Sequence, residues 1–224
     1  TILHYIVKNW FTKLDSVKVQ EIIVLLKNYG YDLSFSDSLG NTILHLMVDS
    51  EISICLPLLI GSRIIDINAK NNNGDTALLL AKNKNTILTL LSLGADPSIA
   101  NIFGENILIK LVKNNISQIN DEDRNFLFSH IVDKYPKLLH STKTYKGHNL
   151  LFEAISSNNE TITNILLSTN IDVNYLNKCG NNALHCIFED ISEESIPNIN
   201  IIKSLIKSGV SVTHTNEDGF TPLH

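Results

Sequence analysis

The residues best suited to chemistry are two cysteines and a histidine close together in the sequence: Cys179, His185 and Cys186. Cysteine and histidine are the usual ligands of zinc, but structural zinc sites need four ligands, typically with closely spaced cysteine pairs. Cys55 is the only other cysteine, so no second pair exists. Cys179 is the one candidate nucleophile, and no motif places a histidine and a carboxylate beside it. We therefore predict no metal site and no catalytic site.

The glycines and the charges exclude further classes of function. The glycines are spread singly along the chain and form no GxGxxG loop, which would cradle a phosphate, so we predict no cofactor. The net charge is -5, and Arg63 and Arg124 are the only arginines. A nucleic-acid partner would select a basic face, and we expect none. No apolar run approaches the ~18 residues that cross a membrane, so we expect no direct membrane insertion.

The composition indicates a folded chain from a reducing compartment. With 224 residues, 43% of them hydrophobic, the chain can bury a substantial core and is not intrinsically disordered. Three cysteines are too few for a disulfide framework, so we expect an intracellular, cytoplasmic location. The 27 asparagines are interpreted as the codon bias of an AT-rich genome. The chain has no initiator methionine or targeting segment, and we expect a piece of a longer protein.

One repeated pattern must position all of these residues: Gly, any residue, Thr or Asn, a small or apolar residue, Leu, and often His. Its copies begin at Gly40, Gly74, Gly104, Gly147, Gly180 and Gly219, with a truncated copy at Thr1. The glycine suits a turn that needs a positive φ, and the Thr or Asn can cap a following helix. The leucine is expected in a core between stacked units. A second apolar element with helical spacing follows each copy, as at Ile162, Ile165 and Leu166.

This pattern resembles the ankyrin repeat, which consists of a β-turn and two antiparallel helices. The resemblance implies an all-α fold, an ankyrin-repeat solenoid of stacked helix–turn–helix units with projecting β-turn fingers. It predicts a single domain over residues 1–224. The predicted units are a partial repeat 1–36, repeats 37–70, 71–100, 101–143, 144–176 and 177–215, and a partial repeat 216–224. It also implies that the motif histidines bond to the backbone of a neighbouring repeat; these are His4, His45, His185 and His224.

The resemblance implies a protein partner and no enzymatic activity. Partners of this family contact the fingers and the exposed face of the first helices, where Lys113, Ser156 and Ser157 fall. Apolar side chains on projecting turns have little role in folding, and aromatic residues are enriched in binding hot spots. Asn72 and Asn73 would supply hydrogen bonds. The predicted partner-binding residues are Leu39, Asn72, Asn73, Ile102, Phe103, Tyr145 and Lys146.

We expect a scaffold, adaptor or targeting region of a larger intracellular protein. Two alternatives stay open: a regulatory segment of a multidomain enzyme, and a viral or bacterial effector that mimics host ankyrin proteins. The acidic clusters at Asp121–Asp123 and Glu189–Glu194 lie where the turn between the two helices is predicted to be lengthened, near 117–124 and 190–198. They are either a solvated face or an alternative surface for a basic partner.

Overall fold

The structure is a computed structural model that describes residues 16–32, 34–48, 55–60, 65–189 and 197–224. The truncated motif with His4, most of the 190–198 turn and part of the Glu189–Glu194 cluster lie outside the described residues. The helices of the described part are α1 Ser16–Asn28, α2 Ile43–Met47, α3 Leu56–Ile60, α4 Ala77–Leu80, α5 Lys84–Ser92, α6 Ile107–Val112, α7 Asp121–Lys134, α8 Leu138–Ser141, α9 Leu150–Ser156, α10 Glu160–Leu167, α11 Ala183–Glu189 and α12 Ile199–Lys207.

The chain divides into two compact units. One contains the described residues up to Ile102 together with Ile116–Ile119, and the other contains Phe103–Asn115 and the described residues from Asn120 onward. In the first unit α4 packs on α5 and on α2, and α1 packs on α3. In the second unit the hairpins α6–α7, α9–α10 and α11–α12 stack: α6, α9 and α11 form one row, and α7, α10 and α12 form the other.

The predicted all-α solenoid of helix–turn–helix units is confirmed. In the described part of the chain no strand forms, and the only β pairing is an isolated bridge between Lys143 and Asn149. A single helical hairpin is not expected to fold alone, because it leaves apolar side chains that only the neighbouring hairpins can bury. No helix among the described residues is both long and apolar enough to cross a membrane.

The motif residues start the first helices as the sequence predicts. The side-chain oxygens of Thr76, Asn106 and Asn149 accept hydrogen bonds from the backbone N–H three residues later. These bonds satisfy N–H groups that have no partner inside a helix. In the copies that begin at Gly40, Gly74, Gly104, Gly147 and Gly180 the motif leucine is buried, with at most 3% of its surface exposed, whereas Leu223 in the last copy is 85% exposed; the buried ones are Leu44, Leu78, Leu108, Leu151 and Leu184.

Two of the motif histidines, His45 and His185, join neighbouring repeats, while the printed sequence ends at His224, whose Nδ1 bonds to Thr221 of its own motif. The Thr42 N–H donates to Nδ1 of His45, so Nε2 carries the proton and donates to the Asp75 carbonyl 2.9 Å away. Burial lowers the pKa of His45 and favours this neutral ring. His185 bonds in the same way to the Phe220 carbonyl. Apolar residues take the histidine position in the intervening repeats, and they are fully or almost fully buried; they are Leu79, Ile109 and Phe152.

The turn that the sequence predicts to be lengthened near 117–124 is long, but it lies earlier: residues 113–120 connect α6 to α7, whereas only residues 157–159 connect α9 to α10. Asp121–Asp123 lie in the first turn of α7, because Asn120 caps that helix by accepting from the Asp123 N–H. Acidic side chains in a first helical turn are favoured by the helix dipole. The rest of the extra length of this repeat lies in the 14 residues of α7 and in the short helix α8.

Candidate functional site

The turns that precede the first helices project from each unit, and we call them fingers. Their tips are the residue pairs 38–39, 72–73, 102–103, 145–146, 178–179 and 217–218. All seven predicted partner-binding residues lie at these tips. Three of them expose about two thirds of their surface, Leu39 (64%), Ile102 (65%) and Tyr145 (67%), and Phe103 exposes 55%. The structure thus places the predicted apolar residues in solvent, on successive turns.

A single residue at the start of each finger holds its shape. Asn71 is typical: its Oδ1 accepts the N–H groups of Asn73 and Asp75, and its carbonyl accepts the N–H of Gly74. Gly74 has φ +72°, and an added Cβ would lie 3.0 Å from the Ile102 nitrogen. Only glycine fits there without strain, because the next finger approaches so closely. Asp37, Asn177 and Asn216 tie their fingers in the same way.

An asparagine at the start of a finger can also link that finger to the preceding one. Asn71 donates from Nδ2 to Asn41, and Asn101 donates to Asp75, both over 3.0 Å in the first unit. In the second unit Asn216 donates to Asn181 over 2.8 Å. The sequence analysis missed this ladder of side-chain bonds. The sequence nevertheless contains the pattern that the ladder needs. One finger starts with asparagine, and the preceding finger has a polar acceptor four residues after its own first residue.

In the first unit the tip residues Asn72 and Asn73 already make hydrogen bonds to neighbouring fingers. The Nδ2 of Asn72 donates to the Ser38 carbonyl, and its backbone N–H donates to the Leu39 carbonyl. The carbonyl of Asn73 accepts from the N–H of Ile102. These bonds hold the Leu39 and Ile102 tips beside the intervening finger. The predicted hydrogen bonds to a partner would use the donor and acceptor groups of the two side-chain carboxamides that these bonds do not occupy.

In the second unit the fingers and first helices enclose two adjoining cavities of about 350 and 310 Å³. Both cavities are lined by Lys146, His148 and Ser156, and we call the pair the finger groove. The larger cavity is also lined by Lys113, Asn115, Thr144, Tyr145, Glu153 and Ser157. The smaller one is also lined by Asn177, Lys178, Cys179 and Cys186. The structure therefore brings predicted finger residues and predicted first-helix residues to one concave site.

A chain of charges crosses the floor of the finger groove. Lys113, which follows α6, lies 3.0 Å from a Glu105 oxygen and 3.2 Å from an oxygen of Glu153 on α9. The other oxygen of Glu153 lies 3.2 Å from Nδ1 of His148. Here the ladder is interrupted, because Thr144 replaces asparagine at the start of the finger. Glu105, which would have accepted a hydrogen bond from that asparagine, pairs with Lys113.

Glu153 stays ionised although only 5% of its surface is exposed. Burial alone would raise the pKa of Glu153, but the hydrogen bond from His148 and the nearby Lys113 ammonium outweigh it and hold the pKa below its ordinary value. Burial would likewise lower the pKa of Lys113, but the hydrogen bond to Glu105 and the charges of both carboxylates raise it. Glu153 can stay buried as a charge because its partners are in place, and Lys113 is half-buried beside it.

The rim of the finger groove carries positive charge beside an aromatic ring. Lys146 and Lys178 are exposed at neighbouring tips, and the Nζ of Lys178 donates to the Tyr145 carbonyl over 2.8 Å.

Cys179 and Cys186 both line the smaller cavity, the first exposed and the second buried. Among the described residues no three histidine, cysteine or carboxylate side chains are grouped to hold a metal. The arrangement suits contact with another macromolecule.

Stacked helical hairpins with a turn projecting before each first helix define a helical-repeat solenoid. The chain belongs to the ankyrin repeat family. Two family models match it, one described as ankyrin repeats (3 copies) over residues 3–101 and one as ankyrin repeats (many copies) over residues 151–186. Together they cover more than half of the chain. Ankyrin repeats are modules of protein–protein interaction.

A curated relative has the same repeats in a much longer chain. The putative ankyrin repeat protein L86 of Acanthamoeba polyphaga mimivirus is 31% identical over 150 residues, which are 58% of this chain and 26% of the relative. The chain thus spans about a quarter of the length of that relative.

Solved structures of other ankyrin proteins share the fold. The ankyrin repeat domain of Bcl-3, a member of the IkappaB family, matches all of this chain and 92% of its own, with a TM-score of 0.78 and 22% identity. The human ASB11 ankyrin repeat domain matches with a TM-score of 0.70 and 15% identity, over 100% of this chain and 90% of its own. A chain from the complex of the Bdellovibrio bacteriovorus endopeptidase Bd0816 with the immunity protein Bd3460 gives 0.68 and 20%, over 92% and 96%.

Proposed function

We propose that this chain is a non-enzymatic protein-binding module that acts as a scaffold, adaptor or targeting region of a larger intracellular protein. The observation that carries the proposal is the exposure of Leu39, Ile102, Phe103 and Tyr145 at finger tips. Large apolar side chains gain nothing for folding when they stand in solvent. Covering them with a partner lowers the free energy of the complex, and aromatic anchors often dominate such interfaces.

Each unit has its own part of the proposed surface. In the first unit the tips offer two apolar side chains, Leu39 and Ile102, around the polar pair Asn72 and Asn73. In the second unit Phe103 and Tyr145 stand beside Lys146 and the finger groove. The lysines at the rim favour an acidic segment in that part of the partner, because complementary charge speeds and orients association. We propose no nucleic-acid partner, since Lys146 and Lys178 are two isolated cations on a chain of net charge -5.

The wider context of the module is also a proposal. The mimivirus relative is about four times as long as its matched segment, which supports a place for residues 1–224 as one ankyrin domain within a larger protein. Three cysteines in 224 residues are too few for a disulfide framework, as is usual in a reducing compartment. This supports an intracellular, cytoplasmic location.

A second candidate function is that of a viral effector that engages a host protein through the same fingers. The specific observation in its favour is the viral source of the 31% identical relative. Both functions use the same surface, so one set of variants tests them, and the identity of the partner separates them.

We expect two double variants to weaken partner capture by more than about tenfold, because a single aromatic anchor can carry ~2 kcal/mol. They are Leu39→Ser with Ile102→Ser in the first unit, and Phe103→Ser with Tyr145→Ser in the second. Neither should move the free energy of unfolding by more than ~0.5 kcal/mol per site, since the side chains are exposed. Capture from a lysate of the source cells, quantified by mass spectrometry beside a urea melt, measures both effects.

The controls are equally exposed apolar residues outside the fingers, Val17 on α1 (61%) and Ile206 on α12 (51%). Val17→Ser and Ile206→Ser should leave capture unchanged. Undiminished capture by both folded double variants would contradict the proposed surface. The acidic residues of α7, Asp121–Asp123, would then be tested by charge reversal.

A further inference from the structure

One joint of the finger ladder differs from all the others described. Where the other fingers present Asn41, Asp75 or Asn181 as the acceptor, the finger at 144–148 presents the ring of His148. Its Nε2 lies 3.4 Å from the Nδ2 of Asn177, the residue that starts the next finger. Carboxamide and carboxylate acceptors keep their lone pairs at neutral and mildly acidic pH, whereas histidine changes its charge between about pH 5 and 8.

The orientation of Asn177 is fixed by its own finger. Its Oδ1 accepts the N–H groups of Cys179 at 2.9 Å and of Asn181 at 3.0 Å. The amide NH₂ must therefore face His148, and it can only donate. The bond exists only when Nε2 of His148 is unprotonated. The neutral ring then carries its proton on Nδ1, from which it donates to Glu153 over 3.2 Å.

Protonation of His148 leaves its Glu153 contact in place and breaks its Asn177 contact. The protonated ring still donates from Nδ1 to the carboxylate, but Nε2–H now points at the NH₂ of Asn177, so two donors face each other. A rotated carboxamide would offer its oxygen to His148, but it would give up the N–H groups of Cys179 and Asn181. Either response loosens the finger at 177–181.

We infer that His148 is a proton-sensitive joint of the finger groove: its neutral ring ties Asn177 to the finger 144–148, and under mild acid this tie is lost while the hydrogen bond from Lys178 to the Tyr145 carbonyl remains. His148 lines both cavities, so the shape that a partner meets changes with its protonation. This regulation concerns the groove of the proposed function, but the joint itself is a property of the chain and is tested without any partner.

The charged and titratable groups around His148 come from five elements, and they include Tyr145 on its own finger and Cys186 on α11. Glu153 on α9 faces Nδ1, and Lys113 after α6 pairs with the same carboxylate. Lys146 on the same finger, and Lys178 and Cys179 on the next, line the same cavity. The lysine ammonium groups have no lone pair with which to accept from Nε2, and Glu153 faces the other ring nitrogen, Nδ1.

Amide hydrogen exchange followed by NMR between pH 8 and 5 tests the joint, with each rate corrected for its intrinsic pH dependence and the His148 ring signal giving its titration. We expect protection of the Cys179 and Asn181 amides to fall at least about tenfold as His148 becomes protonated, because this finger then opens locally. The matched amides of Asn73 and Asp75, which are held by Asn71 in a finger without histidine, should keep their protection.

The variant His148→Asn supplies the acceptor that other fingers have, and it should keep Cys179 and Asn181 protected across the whole range. His140→Asn, at an exposed histidine on α8, should behave as the unmodified chain. Unchanged protection through the His148 titration would overturn the inference, as would an equal loss in His148→Asn. Neither result would touch the proposed function, which is tested by the serine variants of the finger tips.

Discussion

Leu44→Ala and Leu184→Ala are each expected to lower the free energy of unfolding by about 2–5 kcal/mol. Both leucines hold the same motif position, Leu44 on α2 of the first unit and Leu184 on α11 of the second, and they expose 1% and 3% of their surface. The loss combines the transfer free energy of the deleted methyl groups with the cavity left between stacked helices. Urea melts followed by circular dichroism measure it.

Leu223 is a control built into the sequence. It holds the same position in the last copy of the motif, but 85% of its surface is exposed. Leu223→Ala should therefore change the free energy of unfolding by no more than ~0.5 kcal/mol. A loss below ~0.5 kcal/mol for Leu44→Ala or Leu184→Ala would show that the motif register is wrong.

Glu153→Gln is expected to destabilise the second unit by about 1–3 kcal/mol at neutral pH, because it weakens hydrogen bonds that a charged group makes inside the protein. The substitution keeps the size of the side chain and removes the charge that Lys113 and His148 share. Lys113 retains Glu105, so its ammonium is not left alone. Glu122→Gln, at an exposed carboxylate on α7, is the control and should have little effect.

The pH dependence follows from the lowered pKa of Glu153. The unfolded chain binds this proton near pH 4.5 and the folded chain only at lower pH, so the carboxylate stabilises the fold fully above about pH 4.5. The contribution disappears as the pH falls through the folded pKa. Urea melts at successive pH values should show the difference between the unmodified chain and Glu153→Gln shrinking in that range. A difference independent of pH would contradict an ionised Glu153.

The repeated motif was enough to predict the helical hairpins, the capping residues and the finger tips. Each of these depends on local rules: a cap needs a side-chain oxygen three residues before an N–H, and a finger needs a glycine at positive φ. The first turn of α7 was predictable too, because Asn120 followed by Asp121–Asp123 is a helix-start pattern. It was interpreted as a turn because the extra residues of this repeat were assigned to the connection between the helices.

The ladder between fingers could not be derived from composition. The asparagines were interpreted as codon bias, yet Asn71, Asn101 and Asn216 each bond to the preceding finger and several others cap helices. The charges on the floor of the finger groove were hidden for a different reason. Lys113, Glu105 and Glu153 meet only when two repeats stack, and the sequence hint was the replacement of asparagine by Thr144.

The claim that the fingers bind a protein partner is tested most directly by site-specific photo-crosslinking. A benzophenone amino acid placed at Tyr145, and in a separate sample at Ile206, would be activated in a lysate of the source cells and the products identified by mass spectrometry. We predict that Tyr145 yields one defined protein, and that excess unlabelled chain suppresses this product while the Phe103→Ser, Tyr145→Ser variant does not. No product from Tyr145, or the same product in equal yield from Ile206, would contradict the account.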